Sequence, residues 1–347
     1  QSWYSLRNGR PGKLVESFDS PGSSIINQLF AVYLYKALRP FNKDLSLMGA
    51  LFLVPLIIVT LSIIPAFFIG NKMGGPVGGL FAGIIVAINA ALLGRTPAGF
   101  ADTDPYNVFF PLFIAWAFIG AIETKETKNR IIFSSIGGLL VGLYSRAWSG
   151  WWYPMLFVLG ALGIGILYYI GINFKEFKKN PLQGLIKISD IKNNLIILGC
   201  FLGTSAFFVT IFNNVAIFIE GFVQPLQFIR LKDVAVTTLW PNVMTTVAEF
   251  NVVPLNSIMS QMGGKLLFFI AIIGILLTII IKNKEGKRDI MYATFLTLWL
   301  IGTTYAFTKG TRFSILMVPA FAIAFGIALG ITHKYSIEWL SKNIHIS

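Results

Sequence analysis

Cysteine and histidine are almost missing from this chain of 347 residues. The single cysteine, Cys200, lies inside an apolar run, which excludes an internal disulfide and any zinc site built on cysteines. The two histidines, His333 and His345, fall in the last fifteen residues. A Ser-His-Asp or Cys-His catalytic group therefore has no plausible base, and polar chemistry must use carboxylates, Arg, Lys, Tyr or a bound ion.

Charged residues are also scarce. They make up 12% of the chain, whereas 55% is apolar and the mean hydropathy is +0.72; soluble domains carry about a quarter charged residues. The net charge of +13 lies in short clusters between apolar runs, and these runs have roughly the 20-residue length that crosses a hydrocarbon core. The composition therefore predicts an all-α polytopic membrane protein that binds no nucleic acid.

The apolar runs predict nine transmembrane helices after a polar stretch that ends at Asp44. Gly and Pro recur inside the runs, which membrane helices tolerate better than soluble ones. The predicted spans are 45–70, 74–93, 106–122, 131–146, 151–172, 194–219, 264–281, 290–307 and 313–332.

Lys and Arg are distributed unevenly between alternate loops. Past the N-terminal stretch that ends at Asp44, fifteen of them fall in one set of loops and seven in the other, and the positive-inside rule places the richer set in the cytoplasm. We therefore predict a multi-pass protein of the plasma membrane whose transmembrane domain is 45–332, with a cytoplasmic tail at 333–347. The predicted extracytoplasmic segments are 1–44, 94–105, 220–263 and 308–312.

The outer loop 94–105 combines two acids with an arginine. Asp102 and Asp104 are two residues apart, and Arg95 lies seven residues before Asp102. In extended backbone, residues i and i+2 project to the same side, so both carboxylates can face one cation. The alternative is structural: Asp104 caps the next helix with Pro105 as its first residue, and Asp102 is solvated.

Two further outer loops add Glu249 and Arg312. Glu249 is the only acid of its long, mostly apolar loop after Asp233, and Arg312 begins the last span. Both residues also have a simpler explanation. Glu249 can be a solvated loop residue, and Arg312 can be an interfacial arginine that reaches lipid phosphates. Taken together, oxygen ligands without His or Cys favour Mg²⁺ or Mn²⁺, and neighbouring arginines suit a phosphate or pyrophosphate.

These residues resemble three motifs of a known family, the catalytic subunit of oligosaccharyltransferase, and above all its single-subunit archaeal and bacterial enzymes. The motifs are Arg95-Thr-x-x-Gly-Phe-x-Asp102-Thr-Asp104, Thr246-Val-Ala-Glu249 and Gly310-Thr-Arg312-Phe with Pro319 after it. Trp151-Trp-Tyr-Pro154 is similar to a segment of the same family's membrane domain. The resemblance implies a membrane domain of the GT-C type.

The resemblance also implies a reaction. The family transfers an oligosaccharide from a polyprenyl (dolichol) phosphate or pyrophosphate carrier to the asparagine amide of an Asn-x-Ser/Thr sequon, with a divalent metal and with inversion. By resemblance, the metal ligands and catalytic residues are Asp102, Asp104 and Glu249, with Asp104 either a ligand or a partner of Arg95. Arg95 and Arg312 are then expected to bind the lipid phosphate. The implied partners are the lipid-linked oligosaccharide and an acceptor polypeptide.

The chain departs from the family in what it contains. The family's further acidic ligand precedes a segment that here is Trp3-Tyr-Ser-Leu-Arg7, so that acid is expected at Gln1 or upstream. The family has about thirteen spans, and we expect its soluble C-terminal domain, which reads the sequon, not to be contained in residues 1–347. We therefore expect the chain alone to be an incomplete portion with little or no activity.

Two other functions compete with this one. Another glycosyltransferase that uses polyprenyl-phosphate sugars shares acidic pairs in outer loops but does not need the Thr-x-x-Glu motif. A transporter would carry ionisable residues near mid-span or inverted repeats, and the spans here hold almost no acids in their interiors.

Overall fold

The computed structural model describes residues 25–97, 99, 102–179, 181–229, 247–281 and 289–343. Several predicted features lie outside these residues: the segment Trp3–Arg7, residues 230–246 of the predicted outer loop with Thr246 among them, and the basic cluster 282–288.

The described residues form helices throughout, as the apolar runs predict. Their order and bounds are α1 Ile25–Leu38, α2 Leu47–Ile88, α3 Ala90–Leu93, α4 Tyr106–Glu123, α5 Thr127–Tyr144, α6 Trp152–Ile172, α7 Phe174–Lys179, α8 Pro181–Lys187, α9 Ser189–Phe212, α10 Val215–Ile229, α11 Leu255–Gln261, α12 Lys265–Ile280, α13 Ile290–Thr308 and α14 Ser314–Asn343, with 3₁₀ turns at Ala248–Phe250 and Thr311–Phe313.

Helix α2 is a hairpin of two antiparallel legs. Gly75 lies at the bend with φ 66° and ψ −173°, a conformation that glycine adopts without steric cost, and Pro76 begins the second leg. The legs are in contact, because a Cβ on Gly79 would lie 2.6 Å from the carbonyl oxygen of Phe67. The two legs correspond to the predicted spans 45–70 and 74–93.

Within the described residues, six helices have the length and hydropathy of a membrane span, or seven if α11 and α12, bent by 92°, form one. The prediction of nine spans differs from this number at three places. The α2 hairpin contains two predicted spans, α12 has only 16 residues, and α5 begins with the polar turn 127–130. The structure thus shows a multi-pass membrane protein, for which nine is an approximate count.

Helix α14 lies at the centre of the bundle and is buried along nearly all of its first half. It packs against both α2 and α12 through glycines: Gly326 and Gly330 meet the backbone at Gly78 and Gly74, and Gly274 of α12 meets the backbone at Ala324. Small residues at such contacts let membrane helices approach closely. This packing fixes the helices whose ends lead into the outer loops.

Three segments differ from their predicted bounds. The stretch before Asp44 contains helix α1, the predicted loop 220–263 begins inside helix α10, and helix α14 runs through the predicted tail as far as Asn343. In each case residues that were predicted to be a loop are helical. Hydropathy marks where apolar side chains stop, and helical hydrogen bonding can continue or begin outside those limits.

Candidate functional site

The predicted site residues from separate loops meet around Arg95, which follows helix α3. Its Nη1 lies 3.1 Å from Oδ2 of Asp104, and its Nη2 lies 3.4 Å from Oε1 of Glu249, 154 residues away in sequence. The structure thus brings these two acids to the same guanidinium. Arg95 is the group that joins them; the expectation of Asp104 as a partner of Arg95 has this arrangement, whereas the expectation of a metal site places a cation between the carboxylates.

Asp104 is buried, with 4% of its surface exposed. Burial raises the pKa of its carboxyl, and the neighbouring Asp102 raises it further, while Arg95 and Arg312 oppose the rise. Burial disfavours the charged form of a carboxyl and nearby cations favour it. Arg312 belongs to the same region by geometry, because its guanidinium lies 5.9 Å from the centre of the Phe250 ring, next to Glu249.

Asp102 and Asp104 occupy different environments. The backbone from 103 to 105 is a turn, in which the amide of Tyr106 donates to the carbonyl of Thr103, so the extended backbone assumed for residues i and i+2 is wrong. Asp102 is exposed, and its Oδ1 accepts a hydrogen bond from the amide of Thr103. The alternative role of Asp104 as a helix cap is also wrong, since the N-cap of α4 is Pro105 and no side chain caps the helix.

A buried polar network faces the carboxylate oxygen of Asp104 that Arg95 does not contact. The side-chain nitrogen of Asn107, in the first turn of α4, lies 3.5 Å from Oδ1 of Asp104. The side-chain oxygen of Asn107 accepts a 2.9 Å hydrogen bond from the Tyr144 hydroxyl. The Tyr153 hydroxyl donates to the backbone carbonyl of Asn107 at 3.2 Å. Buried polar groups need such partners, and this chain of contacts fixes Asp104 to helices α5 and α6.

Glu249 is positioned by the turn that contains Arg312. The Thr311 hydroxyl donates to the backbone carbonyl of Glu249 at 3.3 Å. A Cβ on Gly310 would lie 2.6 Å from that same oxygen, so only glycine permits the approach. The Arg312 guanidinium lies 5.9 Å from the centre of the Phe250 ring. The turn Ala248–Phe250, which contains Glu249, and the segment Gly310-Thr-Arg312 therefore form one structural unit.

A mostly apolar cavity of about 440 Å³ opens beside this unit. Arg312 and Phe250 line it, together with aromatic side chains such as Trp152, Phe228 and Phe313. Its walls come from α6, α10, α13 and α14. A cavity of this kind suits a molecule that combines an apolar chain with an anionic group, because the arginine supplies the one strong charge.

The three carboxylates of the predicted metal site are not gathered in one place. In the part of the chain that the structure describes, no group of three His, Cys, Asp or Glu side chains is arranged to hold a metal ion. The Arg95 guanidinium contacts both Asp104 and Glu249. The donor chemistry suits a hard cation, but Glu249 can join such a site only after its ion pair with Arg95 opens.

The fold and the site together define a helical membrane protein with an acidic and basic cluster at one end of its helices and an apolar cavity beside it. The model of the family described as oligosaccharyl transferase STT3, N-terminal, matches residues 13–346. The chain belongs to this family.

Individual relatives support the assignment of the chain to this family. The chain is 32% identical over 332 residues to a dolichyl-phosphooligosaccharide-protein glycotransferase of Methanococcus voltae, with 90% of this chain and 36% of the relative covered. It is 24% identical to an undecaprenyl-diphosphooligosaccharide–protein glycotransferase of Campylobacter jejuni, with 94% and 46% covered. The chain thus spans less than half the length of these relatives.

The solved structures show a similar fold. The archaeal oligosaccharyltransferase AglB from Archaeoglobus fulgidus, in complex with an inhibitory peptide and a dolichol-phosphate, has a TM-score of 0.58 and 18% identity, and the match covers 92% of this chain and 44% of that one.

The sequence analysis missed Asn107 and Tyr144 as parts of the site. Asn107 lies within the Asp102-Thr-Asp104-Pro-Tyr-Asn107 segment, so its polar side chain at the start of an apolar helix was a usable signal. Tyr144 has no such signal, because a tyrosine at the end of a predicted span is common at membrane interfaces.

Proposed function

We propose that the complete protein transfers an oligosaccharide from a polyprenyl-phosphate or -pyrophosphate carrier to the asparagine amide of Asn-x-Ser/Thr sequons, on the extracytoplasmic face of the plasma membrane. The observation that carries the proposal is the cavity lined by Arg312, which lies directly beside the cluster of Arg95, Asp104 and Glu249. The names of the relatives in M. voltae and C. jejuni support the same reaction class.

The donor lipid fits the cavity and its arginine. The apolar, aromatic walls suit the isoprenoid units nearest the phosphate, and the Arg312 guanidinium pairs with the phosphate oxygens. As the bond between the anomeric carbon and the phosphate oxygen breaks, negative charge grows on the departing phosphate. A fixed guanidinium stabilises that charge, and this is the role we assign to Arg312.

The acceptor fits the carboxylates. An asparagine amide nitrogen is a weak nucleophile, since its lone pair is delocalised into the carbonyl. Glu249 is half-exposed and faces the cluster, so its carboxylate can accept a hydrogen bond from the amide N–H and orient the nitrogen. The nitrogen then forms the bond to the anomeric carbon with inversion, and the amide proton passes to a carboxylate.

We further propose a divalent cation, Mg²⁺ or Mn²⁺, at Asp102 and Asp104, with Glu249 as a third ligand once it releases Arg95. The support is chemical: oxygen donors prefer hard cations, and Asp102 lies close enough to Asp104 to raise its pKa. The cation would supply positive charge beside the phosphate that leaves.

The first experiment measures transfer by the complete gene product from a polyprenyl-phosphate-linked oligosaccharide to an Asn-x-Thr peptide. We expect Glu249→Gln to abolish transfer. Arg312→Met should lower kcat/KM about tenfold or more, because a lost hydrogen bond to a charged group costs roughly 1.5–3 kcal/mol and about 1.4 kcal/mol is a factor of ten. A chelator should stop the reaction, and added Mn²⁺ or Mg²⁺ should restore it.

Matched controls are Glu338→Gln and Lys125→Met, which remove exposed charges far from the site and should leave transfer unchanged. The Gln-x-Thr analogue of the peptide should not be glycosylated. Glycosylation of a serine hydroxyl or of a lipid instead would favour the alternative glycosyltransferase, and unimpaired transfer by Glu249→Gln would contradict the role of this residue.

A further inference from the structure

A second cluster of ionisable side chains lies away from the candidate site. Lys72 Nζ is 2.7 Å from Oδ2 of Asp289 and 3.4 Å from Oε1 of Glu123. The ammonium also lies 5.0 Å from the centre of the Tyr292 ring. The Lys72 and Asp289 side chains are only 10% and 16% exposed, whereas Glu123 is half-exposed. We call these three charged residues the Lys72 clasp.

The clasp joins the ends of three helices. Lys72 lies at the end of the first leg of α2, three residues before the bend at Gly75. Glu123 is the last residue of α4, and Asp289 is the N-cap of α13. The Tyr292 hydroxyl reinforces the junction by donating to the carbonyl of Ile69 in α2 at 2.9 Å.

The same three helices carry the candidate site at their other ends. The second leg of α2 leads to Arg95, α4 follows directly after Asp104, and α13 ends three residues before Thr311–Phe313. Helix α4, with 18 residues, is about 27 Å long at 1.5 Å per residue. The clasp and the candidate site therefore lie at opposite ends of the same elements.

A link at one end of a helix restrains the other end when the helix is rigid. The second leg of α2 shares such a restraint, because it packs closely against the first leg, where a Cβ on Gly79 would lie 2.6 Å from the carbonyl oxygen of Phe67. Charges that are mostly removed from water interact more strongly than exposed ones, provided that both partners are present. Removal of Lys72 would leave two carboxylates facing each other at the junction.

We infer that Lys72 is a remote positioning residue, which through its ion pairs with Asp289 and Glu123 fixes the relative placement of Arg95, Asp104 and Arg312 across the membrane. This inference rests on the proposed function for its catalytic consequence, but its structural part can be tested without any transfer reaction.

The experiment compares the wild type with Lys72→Met, Asp289→Asn and the exchanged pair Lys72→Asp with Asp289→Lys, each in the complete gene product. Spin labels are placed at two exposed positions, Leu93 at the end of α3, which follows α2, and Ile301 in the second half of α13. After the native cysteines are replaced, they report the distance between the second leg of α2 and α13 on the side of the candidate site. Kinetics of transfer and thermal unfolding are measured on the same variants, all at a temperature where they are folded.

We expect one narrow distance distribution in the wild type and a broader one in Lys72→Met and Asp289→Asn. The kcat per folded molecule should fall at least threefold with little change in the KM for the peptide, and the exchanged pair should recover part of both effects. The matched control is Glu126→Gln, an exposed carboxylate three residues from Glu123 that contacts Asn129, and it should change neither.

The possible outcomes separate the two proposals. A narrow distribution and an unchanged kcat in both single variants would overturn the inference, even if their melting temperatures fall, since that combination describes a residue with a purely structural role. If the wild type shows no transfer at all, the proposed function fails, while the distance distributions still decide whether the clasp positions the helices.

Discussion

At the scale of single residues, Asp104 is the most constrained group of the candidate site. Arg95 contacts one carboxylate oxygen at 3.1 Å, and Asn107 faces the other at 3.5 Å. Burial of the carboxyl raises its pKa, so these contacts to the charged form offset a desolvation cost. An acid held in this way has one orientation, which a site for in-line displacement requires.

The network behind Asp104 gives a prediction at this scale. Asn107→Leu keeps the volume of the side chain but removes the contact to Asp104, and Tyr144→Phe removes the hydroxyl that holds Asn107. We expect transfer to fall about tenfold in Asn107→Leu, which corresponds to about 1.4 kcal/mol, and less in Tyr144→Phe. Steady-state kinetics on folded enzyme measure this effect.

The matched control for the network is Tyr106→Phe. It removes a buried hydroxyl from the same helix, but that hydroxyl faces Asn27 at 3.4 Å and not Asp104. If Tyr106→Phe lowers transfer as much as Tyr144→Phe does, the loss reflects general disruption of α4, and the positioning role of Asn107 is wrong.

The residues of the site could be predicted from sequence only where a motif contains them. Arg95, Asp104, Glu249 and Arg312 stand in motifs, and the structure brings them together. The contact of Arg95 with Glu249 was not predictable, because the two residues are 154 positions apart. The turn at 103–105, which separates Asp102 from Asp104, was not predictable from their spacing either. Tyr144 joins the site from another helix, 37 residues from Asn107, and no local pattern reports such a contact.

At the scale of elements, glycine contacts set the distances between α2, α12 and α14. A Cβ on Gly330 would overlap the backbone carbonyl of Gly74, so any side chain there forces α14 away from the hairpin. Helix α14 follows directly after the turn with Arg312. A shift of α14 would therefore also move the phosphate-binding residue.

The prediction for this contact is that Gly330→Ala lowers the free energy of unfolding by about 1–3 kcal/mol, the range for overpacking of a well-packed core. Thermal unfolding in detergent or nanodiscs measures it. Gly163→Ala in α6 is the matched control, since nothing lies within 4 Å of a Cβ added there. Equal melting temperatures for the two variants would mean that α14 tolerates displacement from α2.

The helices themselves were largely predictable, and their ends were not. Each predicted span overlaps a helix or a leg of α2, because runs of apolar residues are a strong signal. The residues 213–229 show the limit: the predicted span 194–219 runs through Asn213 and Asn214, yet the first helix ends at Phe212 and a separate helix starts at Val215. A window of mean hydropathy averages over two polar residues between apolar segments and so misses this break.

At the scale of the whole molecule, ionisable groups collect at two opposite ends of the helices. One end holds the Lys72 clasp, and the other holds the cluster of Arg95, Asp104 and Glu249. The prediction from Lys and Arg counts assigned Lys72 to a cytoplasmic loop and Arg95 to an outer one, so the two clusters fall on the two faces that the counts distinguish.

The orientation of these faces in the cell is the last prediction. Asn214 is exposed at the end of the bundle that holds the candidate site, next to the contact between Arg146 and Asn213. Lys125 is exposed at the opposite end, two residues after Glu123 of the Lys72 clasp. Single cysteines at these positions, with Cys200 replaced by Ser, should react differently with a membrane-impermeant maleimide in right-side-out vesicles. We expect Asn214→Cys to react at once and Lys125→Cys only after permeabilisation, since the basic loops remain on the cytoplasmic side. The reverse pattern would place the site in the cytoplasm, where it could not meet acceptor polypeptides that have crossed the membrane.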